Sequence, residues 1–298
     1  MSEAERGLRL MAVHAHPDDE SSKGAATLAK YAADGVRVLV VSCTGGERGD
    51  ILNKSFKLGD EPLAEVRRRE MAEAARILGV EHAWLGFEDS GYHEGPPDTW
   101  DLPSGSFAAL DPQPETEALV ALMRDFRPHV VITYDEEGGY PHPDHIRTHV
   151  ISVAAFDAAA DPDMFPGAGD AWQPLKLYYH GGFSLRRLEA IDEAMLAHNG
   201  TSPFKAWIDR MRATGRPDRS EKITTRIEVT DFLDVRDAAL KAHATQIDPN
   251  DGHWFAIPHE VEAAVWGTDD YELVRSLVDS PAPEDDLFAG IRERVNAT

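Results

Sequence analysis

Two short segments concentrate side chains that ligate metals and move protons. The first reads His14-Ala15-His16-Pro17-Asp18-Asp19-Glu20, the second Tyr140-Pro141-His142-Pro143-Asp144-His145. Two histidines and a carboxylate that leave one coordination position open make a catalytic zinc centre, whereas a structural zinc site is closed by four protein ligands. The chain has a single cysteine, Cys43, which excludes a thiolate cage. Asp and Pro also suit helix starts, so either segment alone reads equally well as a turn and cap. Both at the ends of strands in one sheet read as a site.

The elements that must position them follow from the apolar pattern. Residues 8–15 (LRLMAVHA), 36–43 (VRVLVVSC), 82–87, 129–134 (HVVITY) and 175–180 are short apolar runs of the kind that form buried parallel strands. Helical segments alternate with them at 24–34, 62–78, 115–126 and 144–160, with Gly79 placed to cap the second. This alternation predicts an α/β fold, a Rossmann-like, doubly wound and mostly parallel sheet over residues 1–180 that carries the site. Ligands in such sheets bind at the carboxyl ends of the strands. There the sequence has the two segments above and Thr44 to Asp50, and the first and fourth strands of such a sheet can be neighbours. Beyond residue 180 the pattern loosens into a smaller C-terminal α+β subdomain, 181–298, expected to pack on the core and help form a substrate cleft. Helices are expected at 185–198, 203–212, 232–245 and 271–278, a strand at 223–229, and a loosely ordered tail from Pro281. The stretch 89–114, rich in Gly, Pro and Asp, reads as a functional loop or lid.

Composition narrows the partners. Of 298 residues, 53 are acidic and 30 basic, a formal charge of −23, which repels nucleic acid and anionic membranes. No apolar stretch approaches the ~20 residues of a membrane span, and the first residues lack an apolar signal region, so a cytoplasmic protein is expected. Cys43 ends an apolar run and reads as a buried structural thiol. No feature of the sequence sets an oligomeric state.

The segments HAHPDDE and HPDH together resemble the signature of the LmbE-like, or PIG-L, family of zinc N-deacetylases. The resemblance spans nearly the whole chain; GGERG, DSG, TYDEEGGYPHPDH and ALKAHATQ are similar to its mycothiol-metabolising branch. It implies His16, Asp19 and His145 as zinc ligands and Asp18 as the general base for the attacking water. It implies His142 as general acid or oxyanion donor, Asp144 as the carboxylate that orients a histidine, and Tyr140 as a mobile group that polarises the carbonyl. Arg67 and Asp89 would hold a sugar, and Lys23 stands where members that cleave S-conjugates carry lysine. The implied reaction is hydrolysis of the cysteinyl-glucosamine amide of mycothiol S-conjugates, a small thiol-sugar substrate, with deacetylation of N-acetylglucosaminyl-inositol as the alternative. A metal-free sugar-conjugate binder on the same fold is the reading from another class; it would have no need of Asp18. Two histidines and a carboxylate suit Fe²⁺ as well as Zn²⁺.

Other residues carry weaker signals. His14 precedes the motif on the opposite strand face and reads as structural. His149, four residues after His145 on a helix, reads as a helix-surface residue. Glu20 reads as a helix cap or site lining, and Glu47 and Arg48 as substrate contacts or a surface pair. Gly45-Gly46 resembles a phosphate cradle but lacks a following Gly-Lys-Ser/Thr. The resemblance alone brings His243 and Gln246 toward the cleft. A roomy, partly apolar pocket for the S-substituent is expected from the 92–107 loop, Trp100 included.

Overall fold

The structure is a computed structural model that describes residues 7–182, 184–213, 218–250, 252, 254–292 and 294. Five strands run parallel: β1 (Arg9–His14), β2 (Arg37–Thr44), β3 (Glu81–Phe87), β4 (Val130–Thr133) and β5 (Lys176–His180). Their side chains alternate between two cores. Leu10, Ala12, Val38, Val40, Val130 and Ile132 enter one face, and Met11, Val13, Leu39, Val41 and Val131 the other. Burial on both faces is why these strands are apolar runs rather than alternating ones.

Helices cover both faces: α1 (Asp19–Ser22), α2 (Ala25–Ala33), α3 (Leu63–Leu78), α4 (Pro112–Phe126) and α5 (Pro143–Ala158). Gly79 caps α3 at φ 72°, donating its N–H to the Ala75 and Arg76 carbonyls, the left-handed cap that only glycine enters without strain. Cys43 is fully buried in the core under α4 and α5. Among the described residues, no helix is long and apolar enough to cross a membrane.

The C-terminal residues form α6 (Leu185–Asn199), α7 (Lys205–Ala213), β6 (Thr225–Glu228), α8 (Leu233–Ala242), α9 (His259–Trp266) and β7 (Thr268–Ser276). Here the structure departs from expectation. Residues 271–278 are not a helix. Tyr271, Val274 and Val278 fall at helical spacing, but the segment lies in β7, antiparallel to both β5 and β6, where sheet pairing overrides a weak local pattern. The sheet order is therefore β3-β2-β1-β4-β5-β7-β6, so β6 and β7 extend the same sheet rather than forming one of their own. A separate cluster of Leu188, Ile191, Met195, Phe204, Ile208 and Val261 joins α6, α7 and α9.

Nor is the tail from Pro281 loose. Leu287, Phe288 and Ile291 are fully buried, and Glu284 accepts hydrogen bonds from Lys176 Nζ (2.6 Å), Tyr178 Oη (2.6 Å), Thr225 Oγ1 (2.8 Å) and Ser280 Oγ. Burial alone would raise the Glu284 pKa, but these bonds outweigh it and hold the pKa below the usual carboxylate range. The stability they confer is thus present above the ordinary pKa of about 4.3 and lost as pH falls below it. Glu284→Gln should lower unfolding stability at pH 7 by about 3 kcal/mol, the cost of stranding the buried Lys176 charge. In urea titrations the gap to wild type should narrow as pH drops from 5 to 3.

Candidate metal centre and active site

Parallel pairing of β1 with β4 (Leu10 against Val130, Ala12 against Ile132) places the two polar segments side by side at the carboxyl end of the sheet. His16 to Asp19 form the turn from β1 into α1, and His142 caps α5, its Nδ1 accepting the Asp144 N–H at 3.2 Å, with Pro143 at the first helical position.

The centre is built on Asp19. Its Oδ2 lies 3.4 Å from His16 Nδ1 and 3.3 Å from His145 Nε2, while its Oδ1 takes Lys23 Nζ at 2.5 Å. Each imidazole has its other nitrogen engaged by an acceptor. His145 Nδ1 donates to the Gly138 carbonyl at 2.9 Å, and His16 Nε2 to Asp144 Oδ2 at 3.1 Å. In their neutral forms, both rings then present bare lone pairs to a carboxylate oxygen, which repels them unless a cation sits between. Among the described residues, His145 Nε2 has no hydrogen-bond partner despite full burial.

The electrostatics make the same demand. Burial disfavours a charged His16, yet its bonds to Asp144, Asp19 and Asp89 hold its pKa well above the ordinary imidazole value. Burial likewise opposes ionisation of Asp19, but His145 and Lys23 outweigh it and hold its pKa well below the carboxylate range. These groups favour a positive charge in the pocket, which a divalent cation displacing the proton would supply. Nitrogen and oxygen ligands at ~2.0–2.1 Å around a tetrahedral ion stand about 3.3 Å from one another, close to the two separations from Asp19 Oδ2. Two sets of donor atoms fall within 4.8 Å of one another throughout, His16 with His142 and His145, and His16 with Asp89 and Asp144; neither includes Asp19.

Asp18 sits beside this centre at φ 104°, ψ −25°, a conformation that costs a non-glycine residue roughly 1–3 kcal/mol. It is held from three sides. Arg67 Nη2 donates to its Oδ2 at 3.0 Å, its N–H donates to Glu20 Oε2 at 3.0 Å, and its carbonyl accepts from the Ser21 and Ser22 amides. Its Oδ1 has no hydrogen bond among the described residues, and burial raises its pKa despite the Arg67 guanidinium. His142 is buried, with ring centroids 4.6 Å from His16 and 5.2 Å from His145. Burial, with the neighbouring His16 and His145, lowers its pKa and keeps it neutral. Because Nδ1 accepts the Asp144 amide, the proton of the neutral ring is on Nε2. Tyr140 is 41% exposed and packs against the His145 ring with centroids 4.5 Å apart.

Arg67 and Asp89 are engaged inside the protein. Arg67 is 3% exposed and donates to the Gly46 carbonyl (3.1 Å) and the Pro17 carbonyl (2.6 Å) as well as to Asp18. Asp89 accepts the Arg48 and Gly91 amides and lies 3.5 Å from His16 Nε2. Gly45-Gly46 cradles a side chain rather than a phosphate. Gly46 has φ +67°, and a Cβ there would stand 2.1 Å from Arg67 Nη1.

His14 is buried against Tyr134 and His180, away from the centre. The half-buried His149 donates to the Tyr134 carbonyl or sits against it at 3.1 Å. Glu20 is more than a cap: its Oε1 accepts His243 Nε2 at 2.7 Å, both side chains being fully buried. Burial opposes this ion pair too, but His243 lowers the Glu20 pKa to about 2 and Glu20 raises that of His243. Only contact with α8, more than 200 residues on in sequence, reveals that role. Gln246 Nε2 donates to the Asp50 carbonyl at 3.0 Å, and Thr245 donates twice to Glu70, tying the same segment to α3.

No residue of the 92–107 loop lines either of the two cavities beside Lys23. Trp100 Nε1 is bonded to the loop's own Gly95 carbonyl, and the two principal cavities, of about 330 and 500 Å³, open on the Lys23 side beside α6 and α7.

Residues 11–156 match the PIG-L family, described as GlcNAc-PI de-N-acetylase. The chain is 55% identical over 292 residues, 96% of its length and 98% of the relative's, to the mycothiol S-conjugate amidase of Streptomyces coelicolor. The chain belongs to the PIG-L, or LmbE-like, family. It is also 40% identical, over 95% of its length and 97% of the relative's, to the 1D-myo-inositol 2-acetamido-2-deoxy-alpha-D-glucopyranoside deacetylase of Streptomyces avermitilis. In fold it is similar to the N,N'-diacetylchitobiose deacetylase of Pyrococcus horikoshii (TM-score 0.60, 18% identity, 90% of this chain and 84% of that one).

Gly46→Ala tests the cradle. Displacing Arg67 frees Asp18, and a shift of about 1 Å in a positioned group costs roughly 10²-fold in rate. Steady-state amide hydrolysis should fall by that order while metal content, measured on the same sample, is unchanged.

Proposed function

We propose that this protein is a zinc-dependent amidase that hydrolyses the cysteinyl-glucosamine amide of mycothiol S-conjugates. The products would be a mercapturic acid (an S-substituted N-acetylcysteine) and glucosaminyl-inositol. The observation that carries the chemistry is the convergence of two imidazole lone pairs on Asp19 Oδ2 beside the free Oδ1 of Asp18. The choice of bond rests on the 55% identity to the S-conjugate amidase against 40% to the deacetylase. His16, Asp19 and His145 would hold the metal. Zn²⁺, or Fe²⁺ with the same donors, would supply Lewis-acid chemistry, polarising the amide carbonyl and making water acidic enough to attack.

The chain's own residues do the rest. Asp18 accepts a proton from the attacking water at Oδ1, and Arg67 fixes the carboxylate by its other oxygen. The carbonyl oxygen becomes an oxyanion. His142 Nε2–H, its tautomer set by the Asp144 amide, donates to that oxygen, and Tyr140 Oη–H donates from the exposed side; one such donor contributes ~3 kcal/mol. The leaving amine takes its proton from Asp18, whose raised pKa suits return of the proton. Asp144 holds the His16 tautomer through Nε2. Lys23 neutralises Asp19 and stands where the acyl side of the substrate enters.

Mass spectrometry of the zinc-loaded enzyme with the bimane conjugate of mycothiol should detect the bimane mercapturic acid. N-acetylglucosaminyl-inositol should be deacetylated more slowly. Asp18→Ala with full metal content should cut both rates by about 10²-fold or more. Absence of mercapturic acid with rapid deacetylation would transfer the protein to the deacetylase reading. Undiminished turnover by Asp18→Ala would remove Asp18 from the mechanism.

A further inference from the structure

The two cavities meet the metal centre at one residue. Lys23, bonded to Asp19 Oδ1, lines both. The larger, about 500 Å³, starts at Tyr134 and Tyr140 and runs along Gly181-Gly182 to Trp207. The smaller, about 330 Å³, shares Lys23, His180, Gly182 and Trp207 with it and lies between α6, α7 and α8. Volumes of this size are those of small-molecule sites.

Much of the wall of the smaller cavity is apolar. Leu188, Ile191, Phe204, Leu240, Trp254 and Ile257 contribute to its wall. Its charged groups are four bases and three acids, Lys23, Arg187, Arg210 and Arg236 against Glu262, Asp269 and Asp270. Several are already engaged. Glu262 takes Arg236 at 2.7 and 2.9 Å, Asp269 takes both the N–H and the hydroxyl of Thr27, and Asp270 takes Thr268 and Trp266. Lys23 is neutralised by Asp19 and Arg236 by Glu262, so much of this charge is already satisfied within the protein. Two buried polar atoms in the wall nearest Gly24 have no partner among the described residues: Tyr271 Oη and His180 Nε2. A ligand suited to this cavity is thus mostly apolar with one or two amide-type hydrogen-bonding groups. Around Asp89, Arg48, Glu47 and Glu88 make a polar group that lines neither cavity.

We propose that the cavity beyond Lys23 is the subsite for the thioether substituent of the conjugate. Resting on the amidase reading above, this orients the substrate. The sugar lies on the Asp89 and Arg48 flank, the scissile carbonyl at Asp19, and the cysteinyl group passes Lys23. The acetamido group of the cysteine meets Tyr271 Oη and His180 Nε2, and the aromatic or alkyl S-substituent fills the space between Trp207, Phe204 and Ile257.

The test compares kcat/KM for an aromatic conjugate (S-bimanyl) and a minimal one (S-methyl) in wild type, Trp207→Ala and Ile257→Trp. The first variant removes a wall and the second fills the space. In both, the ratio of aromatic to methyl kcat/KM should fall about tenfold or more, the usual penalty for a misfitted apolar pocket. An unchanged ratio in Ile257→Trp, with circular dichroism confirming the fold, would overturn the assignment. Binding of the S-bimanyl mercapturic acid itself, followed by bimane fluorescence on the zinc-loaded protein, reads the subsite without turnover. Binding to wild type that weakens about tenfold in Ile257→Trp supports the subsite even if wild type cleaves no conjugate, an outcome that would reject only the amidase reading. Absent binding, or binding equal in the two proteins, overturns the subsite.

Discussion

One oxygen atom organises the active end of this molecule. Asp19 Oδ2 is approached by nitrogens of His16 and His145 whose rings are each pinned at the far side by an acceptor. Two imidazole nitrogens held 3.3 and 3.4 Å from one carboxylate oxygen in a buried pocket favour a positive charge there. Everything that brings them together has to be stiff, and the sheet provides that stiffness. β1 delivers His16 and Asp19, its neighbour β4 leads to α5 and His145, and the pairing of the two strands sets their separation. Gly138 completes the arrangement. Its positive φ lets the backbone turn under His145 so that its carbonyl takes the ring proton; a Cβ there would stand 2.6 Å from His145 Cβ.

The second constraint is the strained backbone of Asp18. A left-handed aspartate relaxes unless it is held by contacts made in the folded state. These come from distant parts of the chain: Arg67 on α3, cradled by Gly46, and Glu20, itself held by His243 at the end of α8. This explains how the C-terminal third bears on chemistry at the N-terminal end of the chain. It closes the sheet with β7 and β6, locks the catalytic turn through His243, and supplies the α6, α7 and α9 cluster beside the Lys23 cavities.

The parallel part of the fold was legible because burial on both faces writes itself as apolar runs such as RLMAVH and VLVVSC. The two polar segments stood out because both lie at the ends of strands of one sheet, where their pairing brings them side by side. What was not legible depends on contacts remote in sequence. Residues 271–278 carry a weak helical period, and only the open edge of β5 makes them a strand. The tail looked loose because its anchor, Glu284, is an isolated acid whose partners Lys176, Tyr178 and Thr225 lie 59 to 108 residues away. Glu20 read as a cap because nothing nearby in sequence announces His243. The cavity beside α6 and α7 was not legible because its apolar walls come from helix faces that looked like ordinary core.

The central claim is that Asp19 supplies the charge that makes this cluster a metal site. The direct measurement is zinc affinity at pH 7, by competition with a chromophoric chelator, for wild type and Asp19→Asn, which keeps the side-chain shape and removes the charge. Wild type should bind one zinc per chain, and the variant should bind at least about 100-fold more weakly, above the 10–100-fold typical of losing an outer partner alone. Equal affinity and stoichiometry in the two proteins would contradict the account.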